Sequence, residues 1–333
     1  MSGSNVLMIG GGSWGLALAH LVASNGNRVF TYIRDEAVAK EVNTKNTNSK
    51  NLHGFSLSPS LNAFTTFSQI FNYISDIETA FIAIPTSAFT DFFTISNIHS
   101  LLNIKRFVIC SKGFIQKKDG SFVSPVDFIK HHFAGAEVLA LSGPNFAVEL
   151  MQQKSTITSL ASDKELDFKI VKSLLAAPFF SVQKCSDPRA IVLLGLCKNP
   201  IAIGCGIVDG STDSSNTKAK FITKITAETT ELLKAFSCNP AEFFTSAGIG
   251  DVFLSCSDAK SRNFSHGFNF ASSQKQDSNF SDSPFKAKTT EGLQSLKAIK
   301  FIINQRQLNL PIYLALANCL EGNISVADFV LSI

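Results

Sequence analysis

The sequence lacks the spacings that build metal and redox centres. Its 7 cysteines form no CxxC pair and its 6 histidines no HxxxH pair. Metal ligation depends on such spacings, so no metal is expected. The cysteine number is odd, and buried free thiols in a reducing cytosol are the expectation. Charge is sparse as well: 17% of residues are Asp, Glu, Lys or Arg, and the formal net charge is +4. There is no Lys/Arg block and no interleaving of aromatic with basic residues. The balance favours small anionic ligands only weakly and argues against nucleic acid. No basic region precedes the first apolar run, which starts at Val6 and breaks at Gly10, so no secretory leader is expected. Long apolar runs are also scarce. One, AIVLLGLCKNPIAIGCGIV at residues 190–208, approaches the length of a bilayer span. Lys198, Asn199 and Pro200 sit at its centre, and the lysine alone costs roughly 2.5–3.5 kcal/mol on an insertion scale. A buried core helix without membrane insertion is the expectation, which leaves a lysine in apolar surroundings to be explained.

What the chain does contain is VLMIGGGSWGLALAH at residues 6–20, with the single tryptophan among clustered glycines. Glycine weakens regular elements, so a cluster needs a cause. Residues 6–9 read as a strand, 16–24 as a helix ending at Asn25-Gly26, and 28–33 as a second strand. Between the first two lies Gly10-x-Gly12-x-x-Gly15. In a dinucleotide fingerprint the first glycine makes the turn. The second admits a pyrophosphate, and the third lets helix pack on strand. The free N–H groups and dipole of the helix start then hold the phosphate. About 20 residues on, where the adenosine ribose is read, stands TYIRDE. Arg34 there suits a 2′-phosphate and favours NADP, while Asp35 one place later keeps NAD open.

Three more apolar runs end in special residues: TAFIAIPTSAF at Pro85, RFVICSKGF at Lys112-Gly113, and EVLALSGPNFAVEL at Gly143-Pro144-Asn145. In open parallel sheets ligands bind beyond the carboxyl ends of strands, so these endings should face one crevice with the glycine loop. Past Asp187 the character changes to long apolar or amphipathic segments at 190–208, 218–236, 291–304 and 310–320, and this part reads as helical. Residues 272–284 read as a polar loop. A chain of 333 residues with 45% hydrophobic content can bury two domains. The division expected is a dinucleotide-binding domain at 1–186 and an all-helical substrate and catalytic domain at 187–333.

Lys198 is the first candidate for chemistry. An amine in an apolar helix loses charge solvation and can trade a proton with an alcohol or carbonyl, although a lysine that snorkels to the surface would look the same locally. GIGDVFLSCSDAKSRNFSHG, residues 248–267, is the second cluster. Asp251 follows glycines as at a tight turn or cap. Ser261-Arg262-Asn263 sets a guanidinium fork between two small polar side chains, which suits a phosphate or carboxylate.

These motifs together resemble the NAD(P)-dependent glycerol-3-phosphate dehydrogenase family in its bacterial form. The likeness rests on GGGSWG, IAIP, Lys112-Gly113, LSGPNFA, LCKNPIAI, NTKAKFIT, AGIGDVFLSC, SRN and TTEG, in that order along nearly the whole chain. It implies an α/β fold, with a Rossmann-like doubly wound sheet followed by an all-helical C-terminal domain. It implies a cytoplasmic enzyme, a homodimer by family precedent, that interconverts dihydroxyacetone phosphate and sn-glycerol 3-phosphate for phospholipid synthesis. By the same resemblance Gly10, Gly12, Ser13, Trp14 and Gly15 hold the dinucleotide, and Arg34 meets its adenosine end. Lys112 contacts cofactor and substrate, Gly143 and Asn145 the substrate, and Ala147 the cofactor. Lys198 is the proton donor and acceptor with Asp251 beside it. Ser261, Arg262 and Asn263 hold the substrate phosphate, while Arg262 and Glu291 also touch the cofactor. The sequence departs from the family pattern at Asn145, where Ser or Thr is usual. It departs too at Val192 and Leu194, at Ser215 in place of Asp, and at Asn51 in place of tyrosine. Two rivals stand beside this assignment. Another two-domain β-hydroxyacid-type dehydrogenase would lack the SRN clamp. A non-catalytic NADP-binding sensor would need neither Lys198 nor Arg262.

Overall fold

Short β-branched and aromatic runs separated by glycine and polar breaks fold, in a computed structural model, into a sheet followed by helices. The structure describes residues 3–257, 261–274 and 291–333, and the expected polar loop lies outside them from residue 275 onward. Its strands are β1 (Asn5–Ile9), β2 (Arg28–Tyr32), β3 (Leu61–Phe64), β4 (Ile77–Ile82), β5 (Arg106–Ile109), β6 (Ile115–Gln116), β7 (Phe122–Val123), β8 (Glu137–Ser142), β9 (Thr156–Ala161) and β10 (Phe180–Cys185). Eight of them form one sheet in the order β10-β9-β8-β5-β4-β1-β2-β3. β8 and β9 run antiparallel, and the other neighbours run parallel. Val6, Leu7, Met8 and Ile9 of β1 are fully buried. That is the mark of a central parallel strand covered on both faces, and it explains a continuous apolar run in place of an alternating one.

The helix Ser13–Ser24 buries Leu16, Ala17, Leu18, Ala19, Leu21 and Val22 against this sheet. β1 meets β2 in register from Val6↔Val29 to Ile9↔Tyr32, which completes the expected βαβ unit. Because β1, β4, β5 and β8 are consecutive parallel neighbours, their carboxyl ends lie along one edge. The glycine loop, Pro85, Lys112-Gly113 and Gly143-Asn145 therefore share that edge, as the sequence suggests.

The chain divides into two compact units, Met1–Lys117 with Val123–Val192 and Lys118–Phe122 with Leu193–Ile333. The second is built on helices, among them Pro188–Ser211 (from Leu193 on), Ser215–Ala235, Asp251–Ser257, Arg262–Gln274, Glu291–Arg306, Pro311–Leu320 and Val326–Ser332. Pro188–Ser211 is long and apolar enough to cross a bilayer, yet 94% of its apolar window is buried in protein. All seven cysteines are free and buried.

Glycines decide how two of these helices meet. A Cβ on Gly206 would lie 2.1 Å from the Phe264 carbonyl oxygen, and one on Gly210 would lie 2.5 Å from that of Phe268. A Cβ on Gly267 would lie 2.0 Å from the Ile203 carbonyl oxygen. Pro188–Ser211 and Arg262–Gln274 thus touch backbone to backbone. From Gly206–Phe264 to Gly210–Phe268 the contact advances by four residues on both chains, so the helices run in the same sense. The side chain of Asn263 donates to Asn199 Oδ1 at 2.9 Å, one turn upstream of the Gly267–Ile203 contact on each helix. The seam therefore fixes the start of the second helix beside Lys198-Asn199.

Gly267→Ala tests this seam. Alanine improves helix propensity by about 1 kcal/mol, whereas forcing a methyl into close packing costs about 1–3 kcal/mol or more. The clash should win, and denaturant unfolding should show net destabilisation. An unchanged or higher midpoint would mean that the helices can part freely.

Candidate active site

In the first unit the chain leaves β1 at Ile9 and turns at Gly10, whose φ of +134° is rarely open to a side chain. A Cβ on Gly15 would lie 2.2 Å from the Gly10 carbonyl oxygen, so this glycine seats the helix on the loop. Gly12 differs, because a Cβ there would meet nothing within 4 Å. It is the N-cap of Ser13–Ser24 and offers no side-chain cap. The first-turn N–H groups are left to an anion, which the helix dipole also favours. A cavity of about 720 Å³ opens in front, lined by Gly10, Gly11, Gly12, Arg34, Lys50 and Asn51 among others.

Ser13 and Trp14 stand in the first helical turn. The Ser13 hydroxyl donates to the Asn51 carbonyl oxygen at 2.9 Å, and the Asn51 amide donates to the Gly11 carbonyl oxygen at 3.1 Å. Asn51, a departure from the family pattern, thus ties the loop down. Trp14 is half-buried against the core of this unit. Arg34 is exposed at the cavity and has no ion pair among the described residues. Asp35 is engaged. Its Oδ1 accepts from the Ala37 and Val38 amides at 3.1 and 3.3 Å, capping the helix Glu36–Lys45. Its Oδ2 accepts from Lys50 Nζ at 2.8 Å. The Lys50 hydrogen bond, then that of Val38, holds the Asp35 carboxyl below its ordinary range.

Along the same edge, half-buried Lys112 precedes Gly113, which turns the chain with φ +98°. After β8, Gly143 lets the chain pass β9, since a Cβ would lie 2.9 Å from Thr158 Cα. The Asn145 amide donates to Thr156 Oγ1 and to the Ile157 carbonyl oxygen, both at 2.9 Å. This second departure is therefore a brace onto β9. Its Oδ1 is buried without a hydrogen-bond partner, an acceptor that a hydroxyl would satisfy. Ala147 opens the short helix Ala147–Met151.

In the second unit Lys198 does not snorkel. Its side chain is 15% exposed, and its ammonium lies 3.4 Å from Asp251 Oδ1, whose own side chain is 2% exposed. The same nitrogen donates to Ser255 Oγ at 3.1 Å. Buried charges persist when paired, and this pair answers why a lysine sits in an apolar helix. Asp251 is set neither by a tight turn nor by a cap. A π-helical turn over Ser246–Gly250 leads directly into Asp251–Ser257, and such turns re-aim side chains. Ser255, one turn on, completes the cluster. An aspartate–serine spacing of four on a helix is the signal that could have found it.

Ser261 is buried, and its Oγ accepts from the Phe264 amide at 3.4 Å at the start of Arg262–Gln274. Arg262 is exposed at the first helical position without an ion pair among the described residues. Asn263 bonds Asn199, whose own Nδ2 is buried without a partner and so needs an acceptor. Glu291 opens Glu291–Arg306, and the next residue, Gly292, leaves room for Asn263 Oδ1, 2.7 Å from where a Cβ would stand. Within this unit the structure brings Lys198 together with Asp251 and Ser255, and the next residue, Asn199, together with Asn263 at the Arg262 helix start. Val192 and Leu194 are buried in the lysine helix, and Ser215 is exposed in the first turn of Ser215–Ala235. Among the described residues no group of three His, Cys, Asp or Glu is placed to hold a metal ion.

The first unit's residues fit a dinucleotide: an open glycine at an uncapped helix start, a cavity of suitable size and a free arginine beyond the second strand. The comparisons agree. Residues 5–167 match a model of the NAD-dependent glycerol-3-phosphate dehydrogenase N-terminus, and residues 187–331 match that of its C-terminus. Glycerol-3-phosphate dehydrogenase [NAD(P)+] of Acinetobacter baylyi is 30% identical over 317 residues, covering 95% of this chain and 84% of that protein. Glycerol-3-phosphate dehydrogenase of Plasmodium falciparum superposes with a TM-score of 0.85 at 21% identity, over 99% of this chain and 94% of that one. The Coxiella burnetii enzyme does so at 0.84 and 24%, over 99% and 98%.

Gly12→Ser separates fold from binding. Serine is a better N-cap than glycine by a few tenths of a kcal/mol, so the melting temperature should hold or rise. The hydroxyl would occupy the N–H groups meant for the ligand. Trp14 fluorescence titration with NADPH should then show affinity weakened by about tenfold or more. Normal affinity would mean that this helix start does not carry the phosphate.

Proposed function

The chain belongs to the NAD-dependent glycerol-3-phosphate dehydrogenase family, and we propose that it reduces dihydroxyacetone phosphate to sn-glycerol 3-phosphate, and the reverse, with NADPH preferred over NADH. The observation that carries this is the Lys198–Asp251–Ser255 cluster, next in the chain to Asn199, whose bond to Asn263 sets an exposed arginine at a helix start nearby. An ammonium and a forked cation at a helix start are what a phosphorylated ketone requires.

When bound, the nicotinamide supplies or accepts the hydride. The protein supplies everything else. The Lys198 ammonium polarises the carbonyl oxygen and gives it a proton as negative charge develops there. In the reverse direction the amine takes that proton from the hydroxyl. Asp251 and Ser255 fix the direction of the ammonium and balance its charge in a buried setting. Arg262 grips the phosphate as a bidentate fork, helped by Ser261, Asn263 and the first amides of their helix. Gly10, Gly12, Ser13, Trp14 and Gly15 cradle the dinucleotide, with Arg34 at its adenosine end. The remaining assignments follow the family: Lys112 to cofactor and substrate, Gly143 and Asn145 to substrate, and Ala147, Arg262 and Glu291 to cofactor. Residues 1–186 then serve as the dinucleotide domain and 187–333 as the catalytic one. The same reading makes the protein a cytoplasmic homodimer that feeds phospholipid synthesis.

Two measurements test it. Lys198→Ala should keep cofactor affinity while kcat falls by about 10²–10⁴-fold, the usual contribution of general acid–base catalysis. Near-normal kcat would remove Lys198 from the chemistry. Arg262→Lys should lower kcat/KM for dihydroxyacetone phosphate, and Arg262→Ala should lower it further, by about 10²–10⁴-fold for two charge-assisted bonds. Activity on unphosphorylated dihydroxyacetone should barely move. If the ratio of the two substrates is the same in wild type and variant, Arg262 does not read the phosphate.

A further inference from the structure

We propose that Lys50 is a specificity-determining residue: it exchanges Asp35 for the 2′-phosphate of NADP and, by masking Asp35, withholds the acidic contact that NAD would use. The inference rests on the reading that the cavity beside Gly12 takes the dinucleotide with its adenosine end at Arg34.

The exposed strand-end acid is what ordinarily accepts a ribose diol. In this chain both oxygens of Asp35 are already engaged, one by the Ala37 and Val38 amides and the other by Lys50. Asp35 therefore acts as a helix cap and an ion-pair partner. The cavity's charged lining is Arg34, Lys50, Asp35 and Asp91. Asp91 follows β4, two strands away from β2, so the groups at the adenosine end are two cations and one occupied acid.

Lys50 is held for this task by its neighbours. The Asn51 amide N–H donates to Asn48 Oδ1 at 3.0 Å, and Asn51 is tied on to Gly11 and Ser13. The backbone of Lys50 is thus pinned to the glycine loop while its side chain, 66% exposed, stays free to turn. Asp35 is 44% exposed, and pairs in such settings contribute little, so Lys50 can leave at small cost. A phosphate monoester carries a charge of about −1.5 to −2 and offers three acceptor oxygens, more than one carboxylate does. Arg34 meets it as a fork and Lys50 as a point charge. With NAD no such competitor arrives. Lys50 stays on Asp35, and the ribose hydroxyls find no free acid.

Calorimetric titration of the full chain with 2′,5′-ADP and with 5′-AMP tests this without turnover. Wild type should bind 2′,5′-ADP more tightly. Lys50→Gln should weaken that binding by about tenfold or more and leave 5′-AMP affinity within about twofold, as expected for loss of one charge-assisted contact. Lys50→Arg should retain most of the preference. Asp35→Asn keeps a capping side chain, frees Lys50 and should tighten 2′,5′-ADP, a gain that should shrink when combined with Lys50→Gln. A wild type that binds both nucleotides equally would overturn the NADP reading itself. A wild-type preference that survives intact in Lys50→Gln would overturn the role of Lys50 alone.

Discussion

Two helix backbones in direct contact set the geometry of the helical unit. Gly206, Gly210 and Gly267 let Pro188–Ser211 and Arg262–Gln274 run side by side with carbonyl oxygens where side chains would normally keep them apart. Lys198 and the start of the Arg262 helix sit at the same level of this seam, where Asn263 bonds Asn199. A substrate of fixed length needs its carbonyl and phosphate held at a fixed separation, and backbone contact defines such a separation more sharply than flexible side chains can.

The polar groups that matter are those the fold leaves incomplete. The helix after the glycine loop has no side-chain cap, Asn145 Oδ1 and Asn199 Nδ2 are buried without partners, and Arg34 and Arg262 have no ion pair among the described residues. The two buried amide atoms would cost less if completed internally. Asp35 and Asp251 are in the opposite situation. Both are committed within the protein, one to a helix start and Lys50, the other to Lys198. Groups left open can take a ligand and committed ones shape the field around them, and working sites are where such departures from internal completion commonly gather.

Much of this was legible in the sequence, because short-range rules govern it. Gly10, Gly12 and Gly15 mark a strand–turn–helix whose spacing admits few alternatives, and Lys198 stands out because an apolar helix cannot leave a charge alone. β9 and β10 were not legible. TITSLA and FSVQKC place Thr, Ser, Gln and Lys where a central strand would be apolar, since β10 is the sheet's edge and leaves four of its six residues partly or fully open. The turn before Asp251 was read as tight because glycines usually mean that. Here Gly248 answers a tertiary demand, as its Cβ would lie 2.1 Å from the Phe243 carbonyl oxygen. Asn51 and Asn145 looked like losses against the family pattern and prove to be braces, which depend on partners far along the chain. Lys50 drew no notice because an isolated lysine in a polar stretch carries no local signal.

The distribution of thiols has a practical consequence. Cys110 and Cys185 lie in the sheet unit and Cys197, Cys205, Cys238, Cys256 and Cys319 in the helical one, all shielded from solvent. Burial pushes Cys110 out of reach of ionisation and lifts Cys197 and Cys319 to about 12, so none of these three is a ready nucleophile while folded. An alkylating reagent can therefore label each sulfur only when its surroundings open, and the rate of labelling at each position becomes a clock for local unfolding. Without introducing a single probe, the chain carries its own map of which half breathes first and of how far a bound ligand quiets it.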